Sequence, residues 1–160
     1  MSEHEFFTFR EYMRKDQDLL TPSAEDYMEM IYRLSLEHGF TRVNDLATAL
    51  NVQPPSVTKM IQKLAELNLI KYEKYGVIML ESSGIEIGKA LLARHNLVEK
   101  FLGLLNVTDG LLEHTEKIEH TINADILCGI KDLVDFFNDD PILLGKFNEY
   151  RNTRNKQKRG

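Results

Sequence analysis

The apolar positions of this chain recur mostly at helical spacing. In "TPSAEDYMEMIYRLSLEHG" (residues 21–39), Tyr27, Ile31 and Leu34 mark one stripe. Thr21 can cap this helix, Pro22 suits its first position, and Glu25 and Asp26 favour its positive end. Gly39 stops it. "TRVNDLATALNVQPPSVTKMIQKLAELNLI" reads as helix, turn, helix. Val43, Leu46, Ala47 and Leu50 form the buried face of the first helix, and "NVQP" is the turn. Pro54 or Pro55 opens the second, whose apolar face is Val57, Met60, Ile61 and Leu64. The pattern then changes: "LIKYEKYGVIMLESSG" holds two short β runs around "EKYG", which predicts a hairpin. From Ser82 onward it is helical again. Ile87, Leu91, Val98, Leu102 and Leu105 belong to a long helix, and Asn106 and Gly110 bracket a turn. "LLEHTEKIEHTI" is the next helix, followed by "ADILCGIKDLVDFF" with Ile126, Ile130, Leu133 and Phe137 as its stripe. Pro141 precedes a last helix holding Leu144 and Phe147. Ahead of all this, Phe6, Phe9 and Met13 predict a short amphipathic helix or ordered arm.

Two helices followed by a hairpin make a winged helix-turn-helix. The expected fold is therefore mainly α. It has an N-terminal extension (1–20), a winged helix-turn-helix DNA-binding domain (21–82), a helical domain (83–150) and a basic, mobile tail (151–160). On the second helix of the motif, Ser56, Thr58, Lys59, Gln62 and Lys63 are left pointing outward. Hydroxyl, amide and ammonium groups are what reaches phosphates and base edges in a major groove. Lys71, Lys74 and Tyr75 lie at or near the wing tip, where a duplex backbone would pass. With Arg42, the candidate DNA contacts are Arg42, Ser56, Thr58, Lys59, Gln62, Lys63, Lys74 and Tyr75.

Charge sharpens this reading. The chain carries 25 acids against 20 bases, a formal net charge of −5, so it has no generally basic coat. Between Thr41 and Tyr75, however, five bases face three acids, the opposite sign. The single cysteine, Cys128, excludes an internal disulfide and a cysteine-based zinc cluster, and fits a reducing cytoplasm. No apolar run approaches a membrane span, and the N-terminus lacks the basic and apolar regions of a signal peptide. No glycine-rich phosphate loop, nucleophile elbow or HExxH motif points to an enzyme.

The candidate chemistry lies in "HTEKIEHT" (114–121). Glu116, Glu119 and His120 stand at i, i+3 and i+4, so three ligand-type side chains share one helical face. Glu113, seven residues before His120, is a candidate supporting group on that face. Asp26 and Glu29 are an i, i+3 pair on the first body helix, and His95 lies midway along the helix after the wing. Each alone reads as a solvated face, a helix-dipole pair or an ordinary helix histidine. Together they are four carboxylates and two imidazoles on three helices, the donor types of a divalent metal site.

The segments "TPSAEDYMEMIYRL", "PPSVTKMIQKL", "YEKYG", "ARHNLVEKFL" and "EKIEH", in this order, closely resemble the diphtheria-toxin-repressor family of metal-dependent transcription regulators, over about residues 21–140. More narrowly they resemble its manganese branch, which lacks the extra C-terminal barrel-like domain of longer members. The resemblance implies a homodimer with a winged-helix head and a helical dimerisation domain, and two metal ions per subunit between them. Carried over by position, the family's ligands fall on Asp26, Glu29, His95, Glu116, Glu119 and His120. Iron-type members use Met where Asp26 stands and Cys where Glu116 stands. Two hard oxygen donors here favour Mn²⁺, with Fe²⁺, Zn²⁺, Co²⁺ or Cd²⁺ as substitutes. The expected partner is double-stranded operator DNA, with no membrane and no small organic ligand. Two positions depart from the family pattern: Pro55 replaces a more usual serine, and the wing reads "KYGVIML" without an Arg-Gly turn. Two other readings remain at this point: the same switch driven by iron or zinc, and a metal-independent winged-helix sensor of small molecules. A carboxylate-bridged di-iron bundle would need two E-x-x-H pairs, and Glu116 and His120 are four apart.

Overall fold

The computed structural model describes residues 20–158, with the side chain of residue 158 left aside. The amphipathic stretch read around Phe6, Phe9 and Met13 lies outside the described residues.

Helix α1 (Pro22–Ser35) starts as its sequence requires: the Thr21 side chain accepts from the Ala24 backbone N–H at 3.3 Å, and Pro22 fills the first turn. Gly39, at φ +78°, turns the chain into the short strand β1 (Thr41–Arg42). Helices α2 (Val43–Leu50) and α3 (Pro54–Glu66) follow, separated by a turn that begins with Asn51 in the left-handed region at φ 53°. Strands β2 (Ile70–Glu73) and β3 (Val77–Leu80) form the wing, joined by a tight turn over Lys74–Gly76. The sheet order is β1-β3-β2, all antiparallel, with Thr41 opposite Ile78 and Tyr72 opposite Ile78 on its other side. The remainder is helical: α4 (Ser82–Leu104), α5 (Leu111–Glu119), α6 (Ala124–Asp139) and α7 (Pro141–Lys158). Among the described residues no helix is long and apolar enough to cross a membrane.

The core runs through both halves. Met28 and Ile31 of α1, Leu46, Val57, Ile61 and Leu64 of the motif, Ile78 of the wing, Leu91 of α4 and Leu127 of α6 are all fully buried. Helices α1 and α4 cross so closely that a Cβ on Gly88 would lie 2.5 Å from Tyr32 Cβ. That contact, with Arg94 beside Glu25 and His95 beside Glu29 further on, shows the two helices running antiparallel. Seven residues after Gly88 on α4 comes His95, which the crossing therefore aims at the α1 carboxylates.

Two sequence expectations change. On α6 the buried residues are Leu127, Ile130 and Val134, whereas Ile126 is 53 % and Leu133 42 % exposed. The helix has an apolar arc of about half its circumference at 100° per residue, and periodicity cannot say which part α4 covers. Residues 151–158, read as a mobile tail from their composition, continue α7 as a helix. Its first turns pack through Phe147 on Phe137, ring centroids 5.1 Å apart, and Arg151 lies over the Phe147 ring.

Candidate metal centre

Five of the six expected ligands meet between α1, α4 and α5. Glu29 projects from α1, His95 from α4 and Glu119 from the last turn of α5, all buried, and Glu119 is only 1 % exposed. Asp26 stands one turn before Glu29 at the open rim, and His120 follows α5 directly. Their donor atoms form two groups, Asp26–Glu119–His120 and Glu29–His95–Glu119, each within 4.8 Å. Glu119 belongs to both. Its Oε2 lies 3.1 Å from His95 Nδ1, and its Oε1 lies 3.9 Å from His120 Nε2. His95 Nδ1 is also 3.7 Å from Glu29, and His120 Nε2 is 2.8 Å from Asp26 Oδ1. Glu116 is exposed and stands in the wall of the same cavity, about 290 Å³, beside Asp26, Glu29, Arg33, His95 and Glu119. It lies outside both close groups. Glu113 is exposed and ion-paired with Lys117 one turn away.

The electrostatics follow from crowding acids in a buried place. Burial raises the Glu29 carboxyl above its usual value, the Glu119 carboxylate adds to this, and the Arg33 guanidinium offsets part of it. The hydrogen bond to Glu119 raises His95. His120 is pushed up to about 9 by hydrogen bonds to Asp26 and Glu25. These groups therefore gather positive charge from within, and the donor set suits an external divalent cation: carboxylates and imidazoles, with Cys128 away on α6.

Two residues beside the ligands do not read as part of the site in the sequence: Glu25 reads as a helix-dipole acid, and Arg94 is not singled out. Arg94, only 2 % exposed, donates from Nη2 to Glu25 Oε2 at 2.7 Å, and the same oxygen is 2.7 Å from His120 Nδ1. Burial by itself would raise Glu25, but the bond to His120 and the Arg94 charge outweigh it and hold the carboxyl below its usual value. The available signal was an arginine inside the apolar run "ALLARHNLV".

The candidate DNA contacts are spread over α3 and the wing. Ser56, Lys59, Gln62 and Lys63 are exposed on α3. Thr58 is half-buried and its hydroxyl donates to the Pro54 carbonyl at 3.2 Å, so that proton is already used within the helix. Arg42 donates to the Tyr75 carbonyl at 3.2 Å, which ties β1 to the wing tip. Tyr75 is 91 % exposed and sits at φ 65°, next to Gly76 at φ 73°; exposed Lys74 precedes it. Lys71 reaches Glu81 at 3.3 Å.

A winged helix packed on a helical segment, with a carboxylate–imidazole cluster drawn from both, defines a metal-dependent transcription regulator. Residues 19–78 match the iron dependent repressor N-terminal DNA-binding domain, and residues 81–143 match the iron dependent repressor metal-binding and dimerisation domain. The chain belongs to this family. It is 46 % identical over 123 residues to the HTH-type transcriptional regulator MntR of Bacillus subtilis (strain 168), covering 76 % of this chain and 87 % of that protein. Identity to the MntR of Shouchella clausii (strain KSM-K16) is 43 % over 130 residues, covering 81 % and 91 %. Among solved structures, the manganese regulator SloR matches with a TM-score of 0.64 and 29 % identity, over 73 % of this chain and 55 % of that one. The chain thus spans about half the length of that longer regulator.

Proposed function

We propose that this protein is a manganese-responsive transcription repressor. It binds double-stranded operator DNA as a homodimer in the cytoplasm when two Mn²⁺ ions per subunit occupy the cavity. The observation that carries this reading is Glu119: one buried carboxylate offers an oxygen to each of two donor groups, so it would help to hold both ions. Asp26 and His120 would hold one ion, Glu29 and His95 the other, and Glu116 would close the open side. Fe²⁺, Zn²⁺, Co²⁺ and Cd²⁺ can enter the same donors, so selectivity rests on geometry rather than affinity. Bound ions supply the positive charge that offsets the mutual repulsion of the carboxylates.

The chain's own residues would link the site to DNA binding. Asp26 and Glu29 belong to the helix that packs on the motif, whereas His95, Glu119 and His120 belong to the helical half. Drawing them together fixes the head on the helical half. In a dimer, this sets the separation of two α3 helices, matched to half-sites about one helical turn or a multiple apart. Residues 21–82 then act as the reading head and 83–150 as the dimerising half. The reading is tested by titrating chelator-treated protein with Mn²⁺ and counting bound ions by EPR: two tight ions per chain are expected. Weak, non-stoichiometric binding overturns it.

On α3, Lys59→Ala should weaken DNA binding uniformly across sequences and reduce the salt slope by about 1, with metal stoichiometry unchanged. Fluorescence anisotropy at several salt concentrations checks this. A variant that loses metal instead would put Lys59 in the wrong role.

The raised His120 value gives a pH prediction. In the metal-free protein its imidazole is protonated below about 9, and a metal ligand must give up the proton on the coordinating nitrogen. Mn²⁺ affinity should therefore rise between pH 6.5 and 9, roughly tenfold per unit if one proton is displaced. Calorimetric titration in two buffers of different ionisation enthalpy should show that proton; none released at pH 7.5 would remove His120 from the site. The same raised value stabilises the metal-free fold fully below about pH 6.5, and this contribution is lost as pH climbs through about 9.

A further inference from the structure

Arg94 is a buried cation set against His120, a proposed ligand for a further cation. Its Nη2 and His120 Nδ1 both point at one oxygen, Glu25 Oε2, each at 2.7 Å, and lie 3.1 Å from one another. That short nitrogen–nitrogen distance is the mark of a shared acceptor. Were Nδ1 the bare nitrogen, its lone pair would sit 2.7 Å from a carboxylate oxygen, a repulsive contact. Nε2 meets a carboxylate as well, so a neutral ring has one hydrogen for two acceptors. Asp26 is 48 % exposed and can turn to water, whereas Glu25 is 12 % exposed and held by Arg94, so the hydrogen stays on Nδ1 and is donated to Glu25. The other ring nitrogen, Nε2, faces Asp26 at 2.8 Å and Glu119 at 3.9 Å, on the side of the donor group. Which nitrogen of a histidine is free is set by the bond the other one makes.

We infer that Glu25 and Arg94 are a positioning pair: Arg94 fixes the Glu25 carboxylate, and Glu25 fixes the His120 ring with Nε2 turned to the cavity. This deepens the proposed metal reading and rests on it. The pair also divides the work of adjacent residues on α4: His95 serves one donor group directly, and Arg94 serves the other through Glu25. With Oε2 taken by two donors, Glu25 stays a support for the ligand set though it neighbours Asp26 in sequence.

The first test needs no metal. In the metal-free protein, at a pH where the ¹⁵N imidazole shifts show a neutral ring, they should report hydrogen on Nδ1 of His120. Glu25→Ala should shift the population toward hydrogen on Nε2, while Glu25→Gln, whose amide oxygen still accepts, should restore the Nδ1 form. The second test is a Mn²⁺ titration of the same variants. Glu25→Ala should lose about 10- to 100-fold in affinity for one ion and leave the other within about threefold, and Glu25→Gln should recover most of the loss. Arg94→Met alone strands a half-buried carboxylate and risks misfolding. The double variant Arg94→Met with Glu25→Gln removes both charges, keeps the acceptor, and should bind like Glu25→Gln. An Nε2–H ring in the wild type, or equal affinities in wild type and Glu25→Ala, overturns the inference. A wild type that binds no Mn²⁺ but has the Nδ1–H ring, lost in Glu25→Ala, overturns the metal reading and leaves the pairing standing.

Discussion

Glu119→Gln is expected to abolish tight binding of both ions, and operator binding with them. The argument is one of position. Glu119 is the one residue common to the two donor groups, and it is 1 % exposed. Glutamine keeps its shape but offers a neutral carbonyl and an N–H₂ where two anionic oxygens stood. Each group would lose its shared anionic oxygen at once. The fall in affinity should exceed the roughly 10- to 100-fold typical of losing a group that only supports a ligand. The fold should survive. In the metal-free protein the Glu119 carboxylate pushes up its neighbour Glu29, so a neutral amide relieves repulsion. The same change weakens the bond that raises His95, so the two effects oppose each other and the metal-free variant should melt close to the wild-type temperature. Calorimetric metal titration with thermal melting separates the outcomes: a variant that melts normally and keeps one tight ion would show that Glu119 is not shared, and the two-ion arrangement would fail.

The second large effect is expected at Leu133. Ile126, Leu133 and Phe136 are 53, 42 and 58 % exposed and lie on adjoining parts of the α6 surface, next to the arc that Leu127, Ile130 and Val134 bury. Apolar surface of this kind on the family's dimerising segment is what a second copy would cover. Leu133→Asp would place an unpaired carboxylate in that contact, at a cost of several kcal/mol for each copy of the side chain. The chain should sediment as a monomer at micromolar concentration. With its two reading heads no longer linked, operator affinity should fall by about 100-fold or more. Metal stoichiometry per chain should not change, because all six candidate ligands come from one chain. A variant that remains dimeric would move the contact elsewhere, toward exposed Ile142 and Tyr150 on α7.

The ligand spacing was legible because a helix repeats every 3.6 residues: Glu119 and His120 had to emerge one turn on from Glu116, and Asp26 and Glu29 on one side of α1. The winged helix was legible because the helical period gives way to two short β runs around "EKYG", and "NVQP" marks the turn between the two helices before them. Glu116 obeyed the same spacing and yet stands in the cavity wall, since periodicity gives a direction around the helix and no distance across to the next one. Glu25 read as a helix-dipole acid, and nothing near it in sequence announced Arg94, 69 residues away.

What the sequence determined by itself is therefore local: where helices begin and end, that two of them precede a hairpin, and which donor residues each helix can present on one face. Short-range sterics, capping and hydrophobic period decide these matters within a turn or two of chain. What only the tertiary structure decided is which faces meet. The close α1–α4 crossing at Gly88 and Tyr32 brings Glu29 to His95 and Glu25 to Arg94, and α5 then lays Glu119 between the two donor groups. It also decided that α4 covers only part of the apolar arc of α6, leaving Ile126, Leu133 and Phe136 outside. Such choices depend on the packing of side chains far apart in sequence, where the fit of one surface to another sets the free energy and no repeat along a single helix records it.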